Sequence, residues 1–328
     1  MREIFDPRRR FLLGALSGAL LPLGQAWSQT SIPEGPVRII VPYTPGTAGD
    51  TGARALAPRL SERIGRPVIV DNRPGASGTI GTEAVVRAAP NGSTLMVSPN
   101  TLVTSASLYP ALPYNPVRDL TPISLTHSTG LIVVAHPSTG FKNARDLIAA
   151  ARSRPGKINY ASPGVGTPNH LVMEMFKVNA KVFLTHIPYR GTGPQITDML
   201  GGQVETGAMS VLAAIPHIKS GKLIGIGIAS EKRHPMLPDL PTLAEVGVPN
   251  VNGDIWFGLF GPAGMAPDLV ARLNKEVREI VQSAPFRSGM ERQGLQIEVS
   301  TADEFKRLVQ SDAERYAALI RSQGIKAE

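Results

Sequence analysis

The sequence predicts an α/β fold in two domains, with mainly parallel sheets and helices on both faces. Three observations carry this. At 328 residues the chain exceeds what one hydrophobic core usually organises. Apolar residues make up 42% of it, which excludes a disordered chain. Short β-branched runs alternate with helix-period stretches, the rhythm of βαβ units.

Taken in order, the first 28 residues stand apart. "MREIFDPRRRFLLGALSGALLPLGQAWSQ" has a basic start, an apolar stretch from Phe11 to Leu23 and small residues at Ala26 and Ser28. That is the anatomy of an export signal over 1–28, cut after Ser28. The apolar stretch is short for a membrane span. Arg8-Arg9-Arg10-Phe11-Leu12 resembles a twin-arginine motif with Pro7 in place of Ser or Thr. An ordinary secretory (Sec) signal with a basic start remains the other reading.

Beyond it, strands are expected over 37–41, 68–70, 95–97, 131–135, 158–161, 182–187 and 223–229. Helices are expected over 51–63, 81–88, 144–153, 169–178 and 195–200. After Leu259 the pattern changes to two amphipathic helices, "PDLVARLNKEVREIVQ" and "TADEFKRLVQSDAERYAALIRSQG". The second opens with the capping-box sequence Thr301-Ala302-Asp303-Glu304. Boundaries fall near 128–130, between two apolar stretches, and near 247–253, rich in Gly, Pro and Asn. If the last helices return to the first sheet, domain 1 comprises 29–129 plus 251–328. Domain 2 is then an insertion over 130–250, in a hinged, cleft-forming layout.

Charge and composition exclude several classes. Net charge is +8, of which the first 28 residues, with four Arg against Glu3 and Asp6, supply +2. The remaining excess suits a small anion through the summed field. Basic residues are scattered singly among acids, so no nucleic-acid partner is expected. Cysteine is absent, which excludes disulfides, thiolate nucleophiles and Cys-based metal sites.

Three loops follow a strand, open a helix and are built of small residues. In "VRIIVPYTPGTAGD", Thr47-x-x-Asp50 matches a capping box, and Pro45-Gly46 turns tightly after Tyr43. Pro58 is expected to kink the helix that follows. "DNRPGASGTIGTEA" places Ala76 and Ser77 before a second helix. "YASPGVGTPNHLVMEMF" runs from Ser162 to the N-cap Thr167, with Pro168 at the first helical position and His170 in the first turn. Each alone reads as a plain capped turn. Their recurrence adds the functional reading, because open α/β sheets bind ligands outside the carboxyl ends of their strands. Free N–H groups at helix starts favour a carboxylate there. Asn100 and Thr101 follow another strand end as neutral donors or turn formers. Arg190 in "HIPYRGTGPQ" reads either as a bidentate carboxylate partner or as a surface residue paired to Asp198 or Glu205.

The Walker loop, the dinucleotide Gly-x-Gly-x-x-Gly with its downstream acid, the Gly-x-Ser-x-Gly elbow and the zinc His-Glu-x-x-His are all missing. No cofactor and no metal are expected. His170 and Glu174, four apart on one helix face, fit either a structural contact or the acid and base of an exported enzyme acting on a small organic acid.

At this point the chain resembles a known family. "VRIIVPYTPGTAGDTGAR", "LSERIGRPVIVDNRPGASGTIGTEAVVRAAPNGSTL", "LPYNPVRDLTPIS", "GTPNHL", "PYRGTGPQITDMLGGQVE", "PHIKSGKL", "LPDLPTLAEVG" and "WFGLFGPAG" occur in order. They are similar to the substrate-binding proteins of tripartite tricarboxylate transporters, the Bug receptors, over nearly the whole mature chain. The resemblance implies a two-domain periplasmic-binding-protein (Venus flytrap) fold and a non-catalytic, periplasmic, monomeric receptor. Its ligand would be an organic mono- or dicarboxylate, sometimes aromatic. Its partner would be a membrane permease pair, or a sensor kinase. One carboxylate would be held by backbone amides and waters at Tyr43 through Asp50, Ala76 and Ser77, and Ser162 through His170. The chain departs from the family at Thr47 and Ser77, where Gly is usual. It departs again at Met209 and Ser210, where an acid or amide is common. Met209 in place of an acid implies a ligand with apolar bulk and no ammonium group.

Overall fold

The structure, a computed structural model, describes residues 34–75, 78–109 and 112–326. The expected export signal lies outside the described residues, as do Ala76 and Ser77. The chain begins with β1 (Val37–Val41), α1 (Ala48–Ile64), β2 (Val68–Asn72), α2 (Thr79–Val86), β3 (Thr94–Pro99), α3 (Thr101–Leu108) and β4 (Leu120–Thr129). It crosses at Gly130 into β5 (Leu131–Ala135), α4 (Ala144–Ser153), β6 (Asn159–Ser162), α5 (Pro168–Ala180), β7 (Thr185–Pro188), α6 (Thr192–Leu200), β8 (Thr206–Ser210), α7 (Val211–Lys219) and β9 (Ile224–Ile228). It returns through β10 (Ile255–Pro262), α8 (Pro267–Gln282), α9 (Ala284–Glu291), β11 (Gln296–Ile297) and α10 (Ala302–Ser322).

Two sheets result, ordered β11-β4-β10-β3-β1-β2 and β7-β6-β8-β5-β9, and each forms the centre of one lobe. The expected parallel bias is corrected by the pairing. Among the described residues, four strand pairings are parallel and five antiparallel, so both sheets are mixed. The reason is the crossing. β4 leaves the first sheet toward the second lobe and β10 re-enters beside it, so the two run in opposite directions. β5 and β9 repeat this in the second sheet.

Side-chain alternation explains why helices cover both faces of the first sheet. Val37, Ile39 and Val41 face one core, together with Leu56 and Leu60 of α1 and Leu273 and Val277 of α8. Ile40, Met96 and Phe260 face the other, with Phe305, Val309 and Tyr316 of α10. Successive strand residues point to opposite sides, so a strand that is apolar throughout is covered twice. Both late helices therefore pack back on the first sheet. Gly258 permits the close approach of α10, since a Cβ there would lie 2.0 Å from Phe305 Cζ. α1 runs unbroken through Pro58, which sits on its exposed face.

Two adjacent interior strands of the first sheet, β4 and β10, were not among the expected elements, nor were α3, α7, α9, β8 and β11. In β4, "LTPISLTHST" reads as polar, yet Ser124, Thr126, His127 and Thr129 are buried. Thr126 Oγ1 donates to the Phe257 carbonyl at 3.1 Å, and His127 Nε2 lies 3.0 Å from the Ala48 carbonyl. Hydrogen bonding to neighbouring backbone lets these residues occupy a core strand.

Asp254 sits where the chain re-enters the first lobe. It accepts from Ser230 Oγ at 3.2 Å, and its backbone carbonyl accepts from Asn100 Nδ2 at 3.0 Å. Burial, then the nearby Glu298 and Glu231, push its carboxyl up to about 6, against the pull of Ser230 and Arg315. Folding thus favours the protonated form. That contribution is complete below the unfolded value of about 3.9 and is lost as pH rises through the folded one. Asp254→Asn is expected to leave stability unchanged at pH 4 and to raise it by about 2–3 kcal/mol at pH 8, read from urea midpoints.

Candidate functional site

Six helices start along one cleft of about 780 Å³ between the lobes. From the first lobe come the starts of α1 (Thr47, Ala48), α2 (Gly78) and α3 (Thr101). From the second come α5 (Thr167, Pro168, Asn169), α6 (Gly191, Thr192) and α7 (Ser210, Leu212). Each follows a strand, so the strand ends deliver six sets of first-turn N–H groups to one seam. The aligned peptide dipoles place partial positive charge there.

Several of those amides are already taken. Gly46 N–H donates to Asp50 Oδ2 at 2.9 Å and Asp50 N–H to Thr47 Oγ1 at 3.4 Å. The expected capping box is therefore half present, and the carboxylate of Asp50 reaches Gly46 in place of Thr47. Gly164 N–H donates to Ser162 Oγ and Gly166 N–H to His170 Nδ1. Other amides on the lining make no hydrogen bond among the described residues: those of Thr47 and Ala48 in one lobe, and of Asn169, Thr192 and Leu212 in the other.

Among the predicted site residues, Tyr43, Gly46, Thr47, Thr101, Thr167, Arg190 and Ser210 line the cleft. Tyr43 Oη lies 2.7 Å from Thr101 Oγ1, and burial pushes its phenol up to about 12. Pro45, Asp50, Asn100, Ser162 and His170 stand off the lining. Asn100 is buried beneath it, donating to the Asp254 carbonyl and to Tyr316 Oη. Arg190 is exposed and is the only charged residue among the described lining. It pairs with neither acid considered for it. Asp198 accepts from Tyr189 Oη at 2.9 Å, and Glu205 accepts from the Asn159 amide. Met209 is buried in the second lobe's core with Ile132 and Met199, so the expectation that its side chain selects the ligand is corrected.

Behind the α5 start lies a buried aromatic stack. His170 and His186 stack at 4.0 Å between centroids, and His186 and Tyr160 at 4.8 Å. Glu174 lies 3.7 Å from His170 Nε2, accepts from Tyr160 Oη and is bridged by Lys177 at 2.7 Å. Burial pushes its carboxyl up, but His170, Lys177 and Tyr160 outweigh that and hold it at about 2. The His170–Glu174 pair is thus the structural contact, sealed off from the cleft. Sequence reading missed the cleft residues on α3, α6, α7 and β10, among them Thr104, Leu108, Ile196, Leu212 and Phe257. For α6 the signal was present in "GTGPQ", a small-residue helix start like the other three. The Ser- and Thr-rich α3 carried none.

Two α/β lobes joined by a double crossing, with helix starts from both converging on the seam, define a cleft-type solute-binding protein. The chain belongs to the family described as "Tripartite tricarboxylate transporter family receptor", which matches residues 52–325. Protein BugT of Bordetella pertussis is 34% identical over 301 residues, covering 91% of this chain and 92% of that protein. A solved R. palustris structure with adipate superposes with TM-score 0.82 at 29% identity, covering 90% of this chain and 99% of that one. MatC from Rhodopseudomonas palustris with bound malate gives TM-score 0.78 at 28% identity, covering 88% and 99%. Family membership makes the chain a non-catalytic periplasmic receptor.

Asp50 sets the shape of the first loop. It is buried, accepting from Gly46 N–H, Arg54 Nε and Asn72 Nδ2. Burial alone would raise its carboxyl, but these donors hold it below the usual carboxylate range. Its stabilisation is present above the unfolded value and is lost as pH falls through the lower folded one. Asp50→Ala is expected to cost about 1–2 kcal/mol at pH 7, by removing the acceptor that Gly46, Arg54 and Asn72 share. In urea titrations that deficit should shrink on acidification below pH 4.

Proposed function

We propose that the protein captures a small organic carboxylate between its lobes for uptake. The convergence of unpaired helix-start amides from both lobes on one cleft carries this reading. The anion's oxygens would accept from Thr47 and Ala48 on one side and from the α5 to α7 starts on the other, so the ligand binds best when both lobes close on it. Such a ligand shifts the hinge equilibrium because only the closed form offers both sets of donors. That adipate and malate occupy two similar proteins supports the class of ligand. In this reading the domains are 29–129 plus 251–328 and 130–250, hinged near 128–130 and 247–253. Of the sequence-derived site, Tyr43, Gly46, Thr47, Thr101, Thr167, Arg190 and Ser210 face the ligand, with Ala76 and Ser77 completing it. Asp50, Ser162 and His170 hold the loops from behind. The leader over 1–28 would deliver a monomer by the Sec or twin-arginine route, to serve a membrane permease pair or a sensor kinase.

A thermal-shift panel of organic acids tests the class. A ligand at a hundred times its Kd should raise Tm by about 5 °C or more; no rise with any acid would count against the proposal. Ala48→Pro then tests the mechanism. Proline is tolerated at the first helical position, and Thr47 already has the extended backbone that must precede it. The variant removes one N–H while keeping the helix, so calorimetry should give about tenfold weaker binding with unchanged unliganded stability.

Arg190 supplies an unmatched cation in a largely apolar, otherwise uncharged lining, a position suited to a second anionic group. With Arg190→Gln, adipate should bind about tenfold more weakly while hexanoate is little affected; equal losses would assign Arg190 no such role.

A further inference from the structure

We infer that the Gly166 peptide is the closing contact between the lobes, met by Thr104 and Leu108 of the first and positioned by His170 of the second. Three observations place it there. Thr104 Oγ1 lies 3.2 Å from the Gly166 carbonyl, a buried hydrogen-bonding pair that spans the cleft. Leu108 Cδ1 occupies the space beside Gly166, where an added Cβ would lie only 1.7 Å from it. Leu171, one turn into α5, shares a buried cluster with Leu102 and Leu108 of α3. Gly166 thus belongs to the ligand-lining loop of one lobe and is also the surface on which α3 of the other lobe rests.

Both sides of this glycine are held. Its N–H donates to His170 Nδ1 at 3.0 Å, and the proton of the ring then lies on Nε2, facing Glu174. His170 is buried in the stack with His186 and Tyr160, so it fixes the direction of the peptide and not merely its position. The backbone at Gly166 has φ +74°, which leaves its carbonyl free to face α3 in a conformation that L residues rarely adopt.

The contact is built to be reversible. Thr104 has a single hydroxyl proton and two acceptors within reach, the Thr101 carbonyl at 3.0 Å in its own helix and the Gly166 carbonyl at 3.2 Å. When the lobes part, the hydroxyl turns to Thr101 and no buried donor is stranded. Opening then costs little at this contact beyond the Leu108 packing, so ligand contacts can decide the equilibrium.

The test needs no ligand. The chain has no cysteine, so Glu62→Cys and Lys142→Cys, exposed positions on opposite lobes, can carry spin labels for pulsed dipolar distance measurement. The parent should show a short, closed-form distance, and Gly166→Ala should lose it. Gly166→Ala with Leu108→Ala should regain it, because the steric conflict is removed while the φ strain remains. Thr104→Val should reduce the closed-to-open ratio about fivefold, whereas Thr104→Ser retains it. The inference is overturned if the parent lacks the short distance, if Gly166→Ala keeps it, if the double variant does not restore it, or if Thr104→Val and Thr104→Ser behave alike. Carboxylate binding plays no part in these readouts, so its failure would leave them interpretable.

Discussion

The structure depends on one constraint: the carboxyl ends of its strands face the seam between two sheets, and the helices that follow begin there. A helix leaves its first N–H groups without internal partners, and water or a ligand must satisfy whatever the caps do not. By starting six helices at one seam the chain gathers unmet hydrogen-bonding capacity where two bodies can close over it. Neither lobe alone offers the full set. The double crossing is what brings the sets face to face, and it also forces the antiparallel pairing of β4 with β10 and β5 with β9.

Much of this was legible in the residues. β1, β5 and α4 follow directly from apolar run, periodicity and cap, and the returning helices α8 and α10 from their amphipathic stripes. What escaped did so for physical reasons. β4 is a core strand made of Ser, Thr and His, whose polarity is cancelled only by partners distant in sequence, such as the Phe257 and Ala48 carbonyls. β10 is interrupted by Gly258 and Gly261, whose small size is explained by Phe305 and Met265 packing on them. The parallel bias failed because strand direction near a crossing is set by topology, which local pattern does not encode.

For the site, loop chemistry identified where helices begin but not which amides remain free. Asp50 and His170 illustrate the difference. Both belong to the loops that the sequence singled out, yet each turns one polar atom to a backbone N–H of its own loop. They are the residues that shape the cradle, and the neighbours they leave unpaired are the ones available to a guest. Thr104 and Leu108 could not be read at all, because their importance arises from a glycine 62 and 58 positions away on the opposite lobe.

That division of labour explains why buried charge is tolerated so close to a cleft meant for an anion. Asp50 would repel a carboxylate if its own charge were unmet, but Arg54, Asn72 and Gly46 compensate it from within. Glu174 is compensated likewise by Lys177 and Tyr160. Each acid fixes the backbone that presents the free amides while adding little net negative field of its own. The loops are then ordered before any ligand arrives, and the binding energy is not consumed in ordering them. In the proposed hinged reading, what a ligand then changes is the relation between the lobes, and that is the degree of freedom a receptor of this kind needs to report that it is full.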